Sequence, residues 1–302
     1  MNNVLKWVGL GVGALAILLL LVTAFVQGYT AWRMGRIYQV QVQSVDVPDD
    51  ADALAEGERL YVSRGCADCH GGNLAGVTVI DAFPVGVMAG ANLTRGAGGR
   101  SADWGREDIV RAIRHGVNRQ GRPLVFMPAH EYSPYFSAEE LGQLVAFITA
   151  APPVDHTPPK TVPGPLLRVL FLLGQAPLLP VELIDHTAPI PAAVPVGPTV
   201  AFGAKLSLVC TGCHGNGFSG GQVPGTPPEF PPALNLTPDP QTGLADWSYD
   251  DFDRAVRFGQ TPDGRSLDPF MPWPNFARLT EVETQALWAY LRTVPAKPEG
   301  NR

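Results

Sequence analysis

The sequence predicts a mainly α-helical protein in which one N-terminal membrane-spanning helix precedes two tandem copies of a single helical module. Three observations predict this. Residues 7–26 are uncharged and mainly apolar, the motif Cys-x-x-Cys-His occurs twice, and each motif is followed by the same landmarks at nearly the same distances. Self-similarity on this scale marks a duplicated unit.

The apolar run comes first. Its 20 positions, at about 1.5 Å per residue, match the roughly 30 Å hydrocarbon core of a bilayer. The run is longer than the usual 7–15-residue apolar region of a signal peptide. Cleavage after Ala24 stays open as the alternative. Tyr29 and Trp32 suit the membrane–water interface. Lys6 on one side and Arg33 and Arg36 on the other do not fix orientation.

The repeated landmarks extend well past the cysteines. Asn92-Leu-Thr94 returns as Asn235-Leu-Thr237, Asp103-Trp104 as Asp246-Trp247, and the stretch ending in Gly116 as one ending in Gly259, each 143 residues on. His70 to Met127 and His214 to Met271 are both separations of 57 residues, with proline after each methionine. Each module closes on a capping box, Ser137-x-x-Glu140 or Thr280-x-x-Glu283, followed by an apolar stripe at helical spacing. Further helices are predicted at 53–63, 107–115, 202–209 and 250–258, with Gly116 and Gly259 as stops. The expected organisation is anchor and stalk 1–48, module 1 at 49–150, a proline-rich linker 151–198, module 2 at 199–296, and a tail 297–302. Within the linker, residues 166–173 are apolar but too short to span a bilayer. They are expected to pack between the two modules, with docking on a partner or the membrane surface as the alternative.

Composition narrows the chemistry. A net charge of −6 and pI near 5.5 leave nothing to neutralise phosphates, which excludes a nucleic-acid partner. The 33 glycines and 30 prolines favour short helices and bent loops over a regular sheet, so the core needs another organiser. The four cysteines, Cys66, Cys69, Cys210 and Cys213, are all used by the two motifs. That frame is the one for c-type haem attachment, with a thiol redox pair or half a zinc site as alternatives. The halves of a four-cysteine zinc site usually lie within about 20 residues of each other, whereas Cys69 and Cys210 are in separate halves of the chain. The expectation is two covalently bound haem c groups.

Two thiols at this spacing can bond the two vinyl groups of one haem, leaving the adjacent histidine to meet the iron. His70 and His214 are the candidates, and a backbone carbonyl is expected to hold the other ring nitrogen of each. Methionine as sixth ligand closes the iron and raises its reduction potential. Met127 and Met271 are the candidates, with Met88, which has no counterpart in the second half, as the rival. The Asn-Leu-Thr triplets match a glycosylation acceptor, but their repetition in step with the motifs points to a structural turn. Trp104 and Trp247 are candidate haem-propionate donors or buried aromatics. His115, His130, His156 and His186 are given no ligand role.

Asn235-Leu-Thr-Pro-Asp-Pro, Asp246-Trp247, Asp263-Gly-Arg265, Met271-Pro-Trp and Leu287-Trp-Ala-Tyr-Leu291 resemble the haem modules in cytochrome c subunits of bacterial membrane-bound alcohol, aldehyde and gluconate dehydrogenases. The resemblance implies two class I cytochrome c-like domains with His/Met iron. It also implies haem domains on the periplasmic side of the cytoplasmic membrane. Electrons would pass from a periplasmic dehydrogenase or respiratory complex to a downstream acceptor, in a subunit that is itself non-catalytic. That family has three modules where this chain has two and an anchor. The competing expectations are a dihaem peroxidase or oxidase and the dihaem subunit of a cbb3-type oxidase.

Overall fold

The computed structural model describes residues 2–101, 103–226 and 228–302. The chain begins with helix α1 (Asn2–Met34), about 50 Å long. Residues 3–25 of it are exposed. Among the described residues it is the one helix long and apolar enough to cross a membrane.

Module 1 comprises α2 (Ala51–Ser63), α3 (Cys66–His70), α4 (Arg106–His115), α5 (Ala129–Tyr132) and α6 (Ala138–Ala150). After α7 (Pro165–Leu172) in the linker, module 2 repeats the order. Its α8 (Val200–Leu206) continues through a 3₁₀ turn into α9 (Thr211–His214), followed by α10 (Tyr249–Phe258), α11 (Trp273–Phe276) and α12 (Glu281–Leu291). The helix starts are set by side chains. Ser137 Oγ accepts from Glu140 N at 3.3 Å, and Thr280 Oγ1 from Glu283 N at 3.2 Å, while each glutamate accepts from its cap residue's N–H at 2.9 Å. Ser248 and Asp251 form a third box at α10.

Within each module the first and last helices cross at a glycine. A Cβ on Gly57 would lie 2.2 Å from Gln143 O, and one on Gly203 1.9 Å from Ala286 O. No larger residue fits either crossing, so α2 lies on α6 and α8 on α12 at backbone contact. The buried side chains of the two modules then merge. Ile109, Leu141 and Leu144 share one contiguous apolar core with Phe202, Leu206 and Leu287.

Two features differ from expectation. Module 1 carries a small antiparallel sheet, β1 (Thr78–Ala82), β2 (Gly86–Ala89) and β3 (Val162–Pro163), in that order across the sheet. These strands are too short for a clear alternating pattern, and β3 ends in proline, tolerated only at a sheet edge. The apolar linker segment also packs elsewhere than between the modules. As α7 it places Phe171, with Leu178, Leu179 and Val181, against Val117 of module 1 and against Met34 and Tyr38 of the stalk. The reason is polar as well as apolar. Arg168 donates to Thr30 Oγ1 at 2.7 Å, Arg33 lies 4.2 Å over the Phe171 ring, and Glu182 accepts from both Arg33 and Tyr38.

Candidate haem sites

Each Cys-x-x-Cys-His motif forms a tight helical turn closed by a glycine at positive φ, Gly71 (φ 74°) or Gly215 (φ 77°). The next landmark is also shared. Leu74 (φ 60°) and Phe218 (φ 59°) are buried non-glycine residues in the left-handed region, an uncommon conformation for bulky side chains. Their carbonyls accept from Leu93 N at 2.7 Å and Leu236 N at 2.8 Å, which clips the following loop beneath the motif.

That loop orients the histidines. His70 Nδ1 lies 2.8 Å from Ala91 O, and His214 Nδ1 lies 2.7 Å from Leu234 O. With Nδ1 donating to a carbonyl, Nε2 keeps its lone pair free for a metal. Burial holds both imidazoles below their ordinary pKa against the opposing effect of that carbonyl. The neutral form is the ligating one.

The Asn-Leu-Thr triplets clasp this loop from below. Asn92 Oδ1 accepts from Thr94 N (2.9 Å) and Thr94 Oγ1 (2.8 Å); Asn235 Oδ1 accepts from Thr237 N (3.0 Å) and Thr237 Oγ1 (2.8 Å). Each Asn Nδ2 donates to the chain emerging from its module's last helix, at Val154 O (2.8 Å) or Lys297 O (2.7 Å). Both asparagines are buried, with their amide nitrogens engaged, so the triplets are structural turns and not glycan acceptors.

The methionine loops are equally alike. After α4 and α10 the chain turns at Gly116 (φ 63°) and Gly259 (φ 66°), whose carbonyls accept from Leu124 N and Leu267 N, both at 2.7 Å. Met127 and Met271 follow, and each carbonyl accepts from the residue two positions on, Ala129 N at 2.8 Å and Trp273 N at 2.7 Å. Gly259 also admits the Trp273 indole, which a Cβ would meet at 2.6 Å. Met88, the rival, is fully buried on β2 opposite Ile80.

In module 2 these parts converge. Cys210, Cys213, His214 and Met271 all line one cleft of ≈ 1340 Å³, open mouth included, whose walls include Leu206, Leu236, Trp247, Phe252, Val256 and Leu287. Two thiols, an imidazole and a thioether in an apolar chamber are the donor set and surroundings a c-type haem requires. In module 1, Cys66 and Leu93 pack on the core as their counterparts Cys210 and Leu236 do in module 2, and Met127 packs beside them. The four cysteines form no disulfide. Burial pushes Cys66 and Cys210 up to about 12, the opposite of the depressed thiol in a thioredoxin-like pair. Among the described residues no three His, Cys, Asp or Glu side chains converge as a zinc site would need.

Comparison with known proteins agrees with this geometry. Residues 52–148 match the family described as cytochrome c oxidase, cbb3-type, subunit III, and residues 200–295 match the family described as cytochrome c. The chain is a dihaem cytochrome c. Its relatives include the gluconate 2-dehydrogenase cytochrome c subunit of Pantoea cypripedii, 42% identical over 27% of this chain and 19% of the relative. They also include the alcohol dehydrogenase (quinone) cytochrome c subunit of Gluconacetobacter polyoxogenes, 41% identical over 41% of this chain and 27% of the relative. The fructose dehydrogenase cytochrome subunit of Gluconobacter japonicus is 27% identical over 83% of this chain and 54% of the relative. The chain thus spans from about a fifth to about half of these relatives' lengths.

The cytochrome also uses residues that its motifs do not announce. Arg64 belongs to module 1, yet it lines the cleft of module 2. Its side chain is 2% exposed, and it pairs with Glu283 of α12 at 2.5 Å, leaving Nε without a hydrogen-bond partner. Glu283 also accepts from Arg59 at 2.6 Å. The attachment turns meet the opposite module reciprocally: Asn275 of α11 donates to Asp68 at 2.8 Å, while Glu131 of α5 bears on the Cys213 thiol. Only the absence of a basic residue at Leu208, the counterpart of Arg64, hints at this in the sequence. Of the remaining histidines, His156 Nδ1 contacts Ala75 O at 2.8 Å, and His115 and His186 pair at 3.0 Å.

Proposed function

We propose that the chain is a membrane-anchored electron-transfer subunit. It takes single electrons from a dehydrogenase on the periplasmic face and delivers them to a downstream acceptor. A haem c supplies a one-electron iron couple in each module. Cys66 and Cys69, and Cys210 and Cys213, would hold the haems covalently; His70 and His214, held by Ala91 O and Leu234 O, would be the proximal ligands. Met127 and Met271 would close the sixth positions and exclude peroxide and oxygen. The observation that carries the reading is the module 2 cleft, where His214 and Met271 share one lining with both cysteines. The twin hydrogen-bond frameworks support the same assignment in module 1. Helix α1 supports the anchor, and the named relatives, all cytochrome subunits of dehydrogenases, support the donor class.

Near-infrared magnetic circular dichroism and low-temperature EPR of the oxidised full chain should show two low-spin His/Met haems. One high-spin or bis-histidine centre, or ready binding of carbon monoxide by the reduced protein, would overturn the reading in favour of a dihaem peroxidase or oxidase. A second reading, a terminal-oxidase subunit, is favoured by the family match of residues 52–148. Purification in mild detergent separates the two: a co-purifying dehydrogenase supports the first, and a co-purifying oxidase core the second.

A further inference from the structure

Helix α7 has two apolar faces, and the fold uses only one. Leu167, Phe171 and Leu172 turn into the second core. Leu166, Val169 and Leu173, at helical spacing on another stripe, are 41%, 39% and 66% exposed. The one charged residue in the helix, Arg168, is spent on Thr30 Oγ1, Gln27 O and Pro163 O. The exposed stripe therefore presents hydrocarbon alone. A helix apolar on all sides belongs in a core or in lipid.

Its position says which. Arg168 bonds to Gln27 and Thr30, so α7 is pinned to α1 immediately beyond the apolar run 7–26. That level also carries the exposed rings of Tyr29 and Trp32, residues suited to the edge of a bilayer. The start of α7 is joined to the β1–β2 hairpin by Gly164 N to Val85 O (2.7 Å) and Leu166 N to Pro84 O (3.2 Å). At that hairpin's tip stands Phe83, 91% exposed. Arg33, Arg36 and Tyr38 on the stalk all engage Glu182, holding this assembly to α1 as one piece. Apolar surface thus continues from the span onto α7 and the hairpin tip.

We propose that α7 and Phe83 form a second membrane contact, a surface-lying foot that beds Leu166, Val169 and Leu173 into the apolar margin of the bilayer crossed by α1. The inference rests on the anchor reading above. At eight residues, about 12 Å, α7 is too short to span and long enough to lie in the interfacial plane. Because Phe126 N donates to Leu178 O and Tyr38 N to Gly121 O, the foot would set the Met127 loop at a fixed height over the membrane. Module 1 would then be the membrane-proximal module.

The test uses the full haem-loaded chain in phosphatidylcholine nanodiscs. Val169→Cys and Leu173→Cys each take a nitroxide label, since haem-bonded native cysteines leave the wild type unlabelled. EPR power saturation then compares collision with oxygen, which enters lipid, and with a nickel chelate, which does not. Leu19→Cys in α1 and Val196→Cys in the exposed linker are the references. The expected result is an oxygen-to-nickel accessibility ratio several-fold above that of position 196 at both sites, with position 19 higher still. Ratios at 169 and 173 equal to that at 196, with position 19 in lipid, overturn the foot and leave the anchor standing. Labels immobilised against protein with no gain in oxygen access overturn it in favour of a second copy or partner subunit. An aqueous ratio at position 19 sinks the anchor and the foot together.

Discussion

Modules 1 and 2 share a hydrogen-bond framework almost atom for atom, yet they live in different mechanical settings. The Met127 loop is braced from outside. Phe126 N donates to Leu178 O, Tyr38 N to Gly121 O, and Val117 is fully buried in a second core built by the linker and stalk. Among the described residues the Met271 loop has a lighter cover, the Phe230 ring edge-on to Phe270 at 5.1 Å, and Phe258 and Phe270 on either side of it are exposed. The duplicated residues encode the haem chamber, and the unduplicated ones decide how the chamber is held, where it stands and what it meets.

The sharpest way to break this comparison is at the methionines. Met127→Ala and Met271→Ala should each open one iron of two, so that reduced protein binds carbon monoxide at half the haem content, read optically. In the wild type, the same probe during a mild denaturant titration should find the Met271 iron opening first, because local opening follows the density of buried contacts. Simultaneous opening would show that the second core does nothing for its loop.

Next in size are the helix crossings. Gly57→Val and Gly203→Val drive side chains into Gln143 O and Ala286 O, and backbone cannot yield as a flexible side chain does. Each should cost at least about 3 kcal/mol in guanidinium unfolding followed at the haem band. If the cores are truly continuous, either variant lowers the stability of both modules. A variant that unfolds only its own module would show the modules to be energetically separate.

The module interface hangs on Glu283. Burial would raise its pKa, but Arg64 and Arg59 outweigh that and hold it below the ordinary carboxylate value. Glu283→Ala strands the buried Arg64 guanidinium and removes a helix cap, with an expected loss of about 3–5 kcal/mol. Being a depressed carboxylate, Glu283 stabilises the fold fully above its unfolded pKa and loses that contribution as pH falls through the lower folded value. Glu283→Gln should flatten the acid limb of the stability–pH curve. The same pair sharpens the contrast in redox terms, since the Arg64 charge lines the module 2 cleft. Arg64→Leu, which installs the residue found at position 208, should lower the module 2 potential in spectroelectrochemical titration and leave module 1 less affected.

What the sequence made legible follows the same division. The helices predicted at 53–63 and 107–115 are found at Ala51–Ser63 and Arg106–His115, and both capping boxes stand, because periodicity and caps are local signals. The placement of Cys210, Cys213, His214 and Met271 about one cleft was legible because duplication filtered the methionines. Arg64, Gly57 and α7 were not legible. Arg64 acts across an interface that no repeat records, Gly57 matters only for its distance to a helix 86 residues on, and the apolar segment 166–173 reads alike for any apolar neighbour.

The smallest expected effect lies in the brace itself. His115 on α4 is buried against His186 of the linker, with Nδ1 atoms 3.0 Å apart and the His115 Nε2 unpartnered. Burial, with His186, Arg114 and Arg111 adding repulsion, lowers the His115 pKa from 6.5 to about 4. The fold therefore prefers neutral His115, and the unfolded chain binds the extra proton below its ordinary pKa. Stability from this contact is full above pH 6.5 and is lost progressively as pH falls toward about 4. One pH unit below the unfolded pKa the loss should be about 1 kcal/mol. Hydrogen-exchange protection factors at residues 181–188, corrected for the intrinsic pH dependence of exchange, should fall over that range while those in α10 and α12 stay level, since module 2 has no histidine pair of its own among its described residues. His115→Gln should remove the pH dependence. If both modules loosen together instead, the linker brace is no separate unit, and the mechanical contrast between the two methionine loops fails with it.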